Sequence, residues 1–455
     1  MFHRIFIANR GEVAARLVRA CRDMGIEAVC GASTPDLEAG YPYLEEAAEV
    51  VPLGPGPAAQ SYLQLEQIVQ AAKQTRCTAL HPGWGFLAEN PQFAALCEQH
   101  GITFIGPAPD VMDRMGRKVS SRIAAAEAGL PVVPGSKGLL ADVEEALRVA
   151  EEVGYPVVLK ADAGGGGRGI RRCDDASEIQ QAYGEAQREA VAAFGNGALY
   201  LERYLVGGRH IEFQVLGDGR GQAIHLGERE CSIQRRHQKL LEEAPSPALD
   251  AAMRSHYGKL SADAAAFWNY AGAGTMEYLL ADDGNLYFLE MNTRLQVEHP
   301  VTERITGIDI VQEQIRIAAG EGLPCAQEEV QWNGHAIEVR LNAEDTSEDF
   351  RPCPGVVEEI AFETDGVRVD THLTSNSRIS PYYDSLLAKV ISSGDDREQA
   401  VQQMIQCLQD ARLRGLPTTV GLHQAILADA DFQAGSFDTS WLAGFLEREG
   451  PRIQS

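Results

Sequence analysis

Apolar runs and helical stripes alternate from the first residues of the chain. Residues 4–9 (Arg-Ile-Phe-Ile-Ala-Asn) form an apolar run that reads as a buried strand, and 12–24 carry Val13, Leu17 and Ala20 on one helical face before Gly25. Further strands are predicted at 27–32, 79–81 and 103–106, with helices at about 61–74 and 91–99. Alternating strand and helix predicts an α/β domain with a doubly wound parallel sheet, ending near residue 114. A smaller unit follows at 131–204: a helix at 142–153, a strand at 156–160, a glycine-rich loop, another strand, a helix at 176–193 and a strand at 198–204. Two strands, 210–216 and 221–227, flank Asp218-Gly219, and helices are predicted at about 249–270 and 307–319. Short strands at 336–342, 367–372 and 386–392, with an amphipathic helix at 397–413, predict an α+β terminal domain. The expected domains are 1–114, 115–330 with a lid-like insertion at 131–204, and 331–447.

Polar residues interrupt this pattern most tellingly at Glu290-Met-Asn292-Thr-Arg294-Leu-Gln296-Val-Glu298-His-Pro300. In an extended strand Glu290, Asn292, Arg294, Gln296 and Glu298 share one face, and Pro300 favours extended backbone at His299. A one-sided polar row backed by Leu289, Met291, Leu295 and Val297 is the pattern of an active-site floor. Just upstream, 275–280 and 286–291 read as strands joined by a two-residue turn at Asp283-Gly284, both positions wanting positive φ. Paired positions then sum to 567, which sets Glu277 opposite Glu290, with Cβ atoms about 4.5–5.5 Å apart. Two carboxylates that close repel unless a proton or cation lies between them, and with Asn292 they make an oxygen-rich set suited to Mg²⁺ or Mn²⁺.

The composition (44% hydrophobic, 23% charged) is that of a globular protein, and 455 residues are enough for two to four domains. A net charge of −25 argues against nucleic acid or an anionic membrane as partner. A local basic cluster, Arg235-Arg236-His237-Gln238-Lys239, offers a place for an anionic substrate instead. The nine cysteines show no Cys-x-x-Cys spacing, so a reducing, cytoplasmic setting is expected; the N-terminus has no signal-peptide core and no apolar run reaches 18 residues. Gly164-Gly-Gly-Gly-Arg168-Gly169 matches G-x-G-x-x-G only literally, because a strand and not a helix follows it. Ile170 also stands where a Walker A loop needs lysine. A glycine-rich loop between strands folds over phosphates with its backbone N–H groups, and Lys160 precedes it.

Together these pieces resemble the biotin carboxylase family of the ATP-grasp superfamily. The resemblance rests on Ile7-Ala-Asn-Arg-Gly-Glu12, His81-Pro-Gly-Trp-Gly-Phe-Leu-Ala-Glu-Asn90, Lys160 with its glycine loop, Glu228-Arg-Glu-Cys-Ser-Ile-Gln-Arg-Arg-His-Gln-Lys239, Glu242-Glu-Ala-Pro245, the row from Glu290 to Glu303, His335-Ala-Ile-Glu-Val-Arg-Leu-Asn-Ala-Glu-Asp345 and Pro381-Tyr-Tyr-Asp-Ser385. It implies ATP-dependent carboxylation of biotin by bicarbonate through carboxyphosphate. It further implies that Lys118 and Lys160 contact ATP phosphates beneath Gly165, Gly166 and Gly167. Glu202 and Leu205 should lie at the adenine, with His210, Gln234 and His237 near ribose or phosphates. Glu277 and Glu290 should hold the metals, close to Asn292. Lys239, Arg294, Gln296 and Val297 should surround bicarbonate, Glu298 should deprotonate it, and Arg340 should stabilise charge on the biotin ureido oxygen. From the residues alone, Arg340 reads instead as an ion-pair partner of Glu338 or Glu344, and Cys231 as a buried, inert thiol.

Three positions depart from the family pattern. Trp84 stands where tyrosine is common, near the expected biotin site. Asp162 and Ala163 open the glycine loop where Ser and Gly are usual, and 374–379 lacks the usual glycine. No lysine has a methionine neighbour, so biotin is expected on a separate carrier protein or domain, with a carboxyltransferase as further partner and a homodimer as the usual assembly. The alternatives are another ATP-grasp carboxylate ligase, or an inactive subunit that keeps the fold.

Overall fold

The structure, a computed structural model, describes residues 1–455 apart from 163–168, 206, 364, 451–452, 454–455 and the side chain of Phe194. Its N-terminal sheet is parallel, in the order β3-β2-β1-β4-β5: β1 Arg4–Ile7, β2 Glu27–Ser33, β3 Glu49–Gly54, β4 Ala79–His81 and β5 Thr103–Phe104. The expected doubly wound sheet is present, with β3 an edge strand that its charged and proline-containing sequence concealed. The 65–74 helix starts four residues later than expected because Ala58–Gln60 forms a 3₁₀ turn first. The expected 307–319 helix is Ile310–Ala318, and a helix that was not foreseen, His299–Thr306, precedes it. Gly307 (φ 73°) ends the earlier helix and Asp309 caps the later one.

Strands β6 (Val157–Ala161), β7 (Ile170–Cys173) and β8 (Leu199–Arg203) make a three-stranded sheet with β6 in the middle. The helices Val143–Val153 and Ala176–Phe194 contribute Val149, Ala150, Ile179, Ala186 and Ala190 to its apolar core. The central layer is an eight-stranded sheet. It runs β13-β12-β9-β10-β11-β14 and continues into two strands of the C-terminal region, Leu386–Gly394 and Arg368–Thr371. Here β9 is Arg209–Asp218, β10 Ala223–Arg235, β11 Gln238–Ala244, β12 Ala271–Leu280, β13 Leu286–Asn292 and β14 His335–Asn342. The β11–β14 pairing carries this one sheet across residue 330.

Two local expectations are corrected. The β12–β13 turn has three loop residues, closed by the Ala281 N–H donating to the Asn285 carbonyl (3.0 Å) and the Gly284 N–H to the Ala281 carbonyl (2.9 Å), and of these three Gly284 has positive φ (79°). Pairs near the turn therefore sum to 566 (Leu280↔Leu286, Tyr278↔Phe288). An extra residue, Leu289, bulges and restores 567 at Glu277↔Glu290, so the predicted pairing of carboxylates holds for a different reason. The polar row is also not one strand. β13 stops at Asn292, and 293–298 form a loop that enters a helix at His299, with Pro300 in the first turn where its missing N–H costs nothing. In the 374–379 loop Asn376 takes positive φ (71°), a conformation Asn tolerates in place of glycine.

Candidate active site

The face of the large sheet above β9–β12 carries polar residues at alternate positions, so a buried ionic site is assembled strand by strand. His210, Glu212 and Gln214 of β9 alternate with Ile211, Phe213 and Val215, and Glu212 lies beside Glu277 in register. Period two points all three the same way, the signal by which sequence reasoning, which missed Glu212, finds it. Lys239, just past the turn between β10 and β11, reaches across them. Its Nζ lies 2.5 Å from Glu212, 3.0 Å from Glu277 and 2.6 Å from Glu298. The basic cluster is that turn itself: Arg236 and His237 both have positive φ, and Asp349 pairs with Arg235 and Arg236.

Glu298 is buried between two cations, Lys239 on Oε1 and Arg340 on Oε2 at 2.8 Å. Burial opposes its ionisation. Lys239, and then Arg340 and Arg229 against repulsion from Glu212, nevertheless hold it below the ordinary glutamate range. Arg294 was expected with Lys239 around bicarbonate. Arg294 turns instead to Glu89 (2.8 Å) and to the Asn292 amide oxygen (2.9 Å), remaining beside the site. Arg340 pairs with Glu242 and Glu298 rather than Glu338 or Glu344. Glu242 is wholly buried, and burial raises it to about 7 despite Arg340, with Glu298 adding repulsion.

Behind these groups Arg229, fully buried, donates to Glu212 (2.5 Å), Gln214 (2.8 Å), Thr302 (3.0 Å), Thr275 (3.2 Å) and the Gln296 amide oxygen (2.8 Å). That last bond orients Gln296, whose Nε2 donates to Glu277 at 3.0 Å. Lys389, also fully buried, donates to the Val297 carbonyl (2.9 Å), which fixes the backbone next to Glu298. Neither anchor was singled out from sequence: Arg229 sits between Glu228 and Glu230, and Lys389 is a lone charge in an apolar strand, and in neither case does the local pattern name the distant partners. Cys231 is buried and its thiol is pushed well up by desolvation, as expected of an inert side chain.

Glu277 Oε1 accepts from Lys239, Asn292 (2.9 Å) and Gln296, while Oε2 lies 3.3 Å from His210 Nε2. Burial would raise Glu277, yet Lys239 and His210 hold it well below normal; Glu277 in turn outweighs desolvation at His210 and raises it to about 9. Glu290 stands half-exposed at the mouth, with Lys118 Nζ at 3.9 Å. Crowding by protein, then repulsion from Glu277, raises its carboxyl against the pull of Lys118. A divalent cation fits this pair: Glu277 Oε2 and the Glu290 carboxylate form a repelling oxygen set that a cation relieves, with Asn292 adjacent. Lys118 opens the helix Lys118–Glu127, and Lys160 at the end of β6 pairs with Glu202 at 2.5 Å. Leu205 follows β8 half-buried, and Gln234 and His237 sit at the end of β10 and in its turn. Gly165, Gly166 and Gly167 lie outside the described residues. On the other side of Lys239 and Arg340 opens a cavity of about 460 Å³, lined by Trp84, Phe86, His372, Tyr382 and Tyr383.

Comparison with known proteins agrees with this architecture. Residues 1–112 match the biotin carboxylase N-terminal domain, 117–326 the carbamoyl-phosphate synthase L chain ATP-binding domain, and 338–444 the biotin carboxylase C-terminal domain. A biotin carboxylase of Nostoc sp. is 50% identical, covering 97% of this chain and 98% of its own. The 2-oxoglutarate carboxylase small subunit of Hydrogenobacter thermophilus is 50% identical over 97% of this chain and 93% of its own. The solved biotin carboxylase domain dimer of Hydrogenobacter thermophilus 2-oxoglutarate carboxylase, in complex with MgADP, ADP and bicarbonate, superposes with a TM-score of 0.91 at 48% identity, over 100% of this chain and 99% of that one. The fold and site thus define an ATP-grasp ligase. The chain belongs to the biotin carboxylase family.

Proposed function

We propose that this chain carboxylates biotin, presented by a carrier protein or domain, using ATP and bicarbonate, as the first half-reaction of a biotin-dependent carboxylase. The observation that carries the reading is Glu298, buried and ionised between Lys239 and Arg340. A base in that setting takes the proton of bicarbonate while the same cations, with Arg294, Gln296 and the Val297 backbone, hold the carbonate produced. Carbonate attacks the ATP γ-phosphate; carboxyphosphate and ADP form, and carboxyphosphate breaks down to CO₂ and phosphate. Phosphoryl transfer needs alignment and charge neutralisation, which we assign to Lys118, Lys160 and His210 and to the glycine-rich segment. Glu277 and Glu290, beside Asn292, would hold Mg²⁺ or Mn²⁺, which neutralises phosphate oxygens when bound. We assign Glu202, Leu205, Gln234 and His237 to the nucleoside and phosphates, and the cavity walled by Trp84 to biotin, with Arg340 stabilising its ureido oxygen. We further assign the division 1–114, 115–330 (lid 131–204) and 331–447, a homodimer, a carboxyltransferase partner and the cytoplasm. Among the described residues no helix is long and apolar enough to cross a membrane.

The test is ADP release with MgATP and bicarbonate, with and without free biotin. Biotin-stimulated release that disappears without bicarbonate is expected. Bicarbonate-dependent release that biotin does not stimulate would move attention to Trp84 or to the carrier. A folded sample releasing no ADP would mean an inactive subunit.

A further inference from the structure

We propose that Arg122 and Asp162 are positioning residues that set the spacing of Lys118 and Lys160 by stapling the Lys118–Glu127 helix to the β6–β8 sheet. The inference rests on the reading of those two lysines as phosphate ligands. Each staple residue is tied closely to one lysine: Arg122 lies on the same helix, one turn after Lys118, and Asp162 directly follows β6, two residues after Lys160.

Asp162 Oδ1 accepts a hydrogen bond from the Val119 backbone N–H at 3.0 Å. That helix begins after Arg117, which supplies no side-chain cap. The first N–H groups of a helix need acceptors, and a carboxylate there also meets the positive end of the helix dipole. A residue 43 positions away, just after β6, therefore caps this helix. Arg122 makes the second tie. Its guanidinium donates to the carbonyls of Val133 and Ser136, both at 2.5 Å, and its Nε lies 3.2 Å from Glu202 Oε1. The 133–136 segment is itself bound to β8, through Ser136 N to Leu201 O (2.7 Å) and Arg203 N to Pro134 O (2.8 Å). Arg122 thus grips the sheet through its backbone.

Glu202 connects the two lysines' surroundings, because its other oxygen holds Lys160 at 2.5 Å. With Arg122 sharing Glu202, the carboxylate is divided between two cations, and Lys160 is less firmly retained when an anionic phosphate competes for it. Without Arg122, Glu202 holds Lys160 alone. Loss of either tie should therefore weaken nucleotide binding and leave bicarbonate handling, on the far side of Glu277, untouched.

ATP and bicarbonate KM and kcat are measured by ADP release for Asp162→Ala, Asp162→Asn and Arg122→Leu. Asp162→Ala should raise the ATP KM about fivefold, the factor a lost helix cap brings, with bicarbonate KM unchanged. Asp162→Asn keeps the oxygen acceptor and should restore most of the loss. Arg122→Leu should raise the ATP KM in the same direction. In a Lys118→Ala background Asp162→Ala should add little, since its effect passes through the helix that Lys118 opens. Equal effects with and without Lys118, or an unchanged ATP KM in both staple variants, would overturn the proposal. If Lys118→Ala and Lys160→Ala themselves leave the ATP KM unchanged, the nucleotide reading fails; if they raise it and the staple variants do not, the staple alone fails. Hydrogen exchange at the Val119 amide in Asp162→Ala gives a readout independent of turnover. Faster exchange confined to the start of that helix is expected, and unchanged exchange would remove the cap.

Discussion

Lys239 is one-tenth exposed and held by three carboxylates, and Arg229 is fully buried with five hydrogen-bond acceptors around it; across Glu277, Lys118 is 36% exposed with Glu290 at 3.9 Å, and Lys160 leans on Glu202 at 25% exposure. The side assigned to bicarbonate is buried and over-determined, while the two lysines assigned to nucleotide are more exposed and have fewer partners. Proton transfer rewards a base that is already in place, because a misplaced one forfeits most of its effect. A nucleotide has to enter and leave, so its ligands are held by ties that can yield.

The largest break in that contrast should come from Glu298→Gln. The amide keeps the shape and cannot take a proton, so bicarbonate-dependent turnover should fall by about 10²–10⁴-fold. ATP affinity, measured by nucleotide binding, should stay near that of the unaltered chain. Equal loss of both would show that the two sides are one unit.

Arg340→Ala follows. It removes a cation from Glu298 and Glu242 and opens the wall of the aromatic cavity. Biotin carboxylation should fall further than bicarbonate-dependent ATP cleavage, by roughly tenfold or more, in line with loss of a charge-stabilising donor. A parallel fall in both rates would assign Arg340 to the phosphoryl step instead.

The buried side also carries a pH signature. Glu242 has its folded pKa raised from 4.5 to about 7, mainly by burial. Between those values the folded state holds a proton that the unfolded state has released. Glu242 therefore costs stability progressively as pH rises from about 4.5 to 7. Glu242→Gln lacks this titration, so its Tm relative to the unaltered chain should climb across that window and level off above it. The full swing is on the order of 3 kcal/mol. A difference in Tm that is flat with pH would mean that Arg340 keeps Glu242 ionised throughout.

How much of this was legible in the sequence depends on whether partners lie near or far along the chain. The Glu277–Glu290 pairing was reached because two departures cancel there, Asn292, Gln296 and Glu298 converge although the row leaves the strand after Asn292, and the doubly wound sheet follows from local periodicity. The exchange of Arg294 for Arg340 beside Glu298 does not, because Glu89, which draws Arg294 away, is 205 residues distant. Glu212 was readable in principle from the alternation His210, Glu212, Gln214; Lys389 was not, since its acceptor is a backbone carbonyl 92 residues away. Asp162 read only as a departure at the start of the glycine loop, and it is the cap of the Lys118–Glu127 helix.

The β12–β13 hairpin allows the smallest and sharpest test, because two departures from the expected turn cancel there. With a three-residue loop, pairs sum to 566 until Leu289 is inserted, after which they sum to 567. Deleting Leu289 would continue the 566 register, and the residue then opposite Glu277 is again Glu290. Leu289 is 40% exposed, so its loss gives up little packing. The deletion should cost less than about 1 kcal/mol in chemical denaturation, the range of exposed positions, with the Mg²⁺ dependence of ADP release nearly unchanged. A large rise in the Mg²⁺ needed would show that the bulge aims Glu290, as bulges beside active sites can do, and is more than a correction of register.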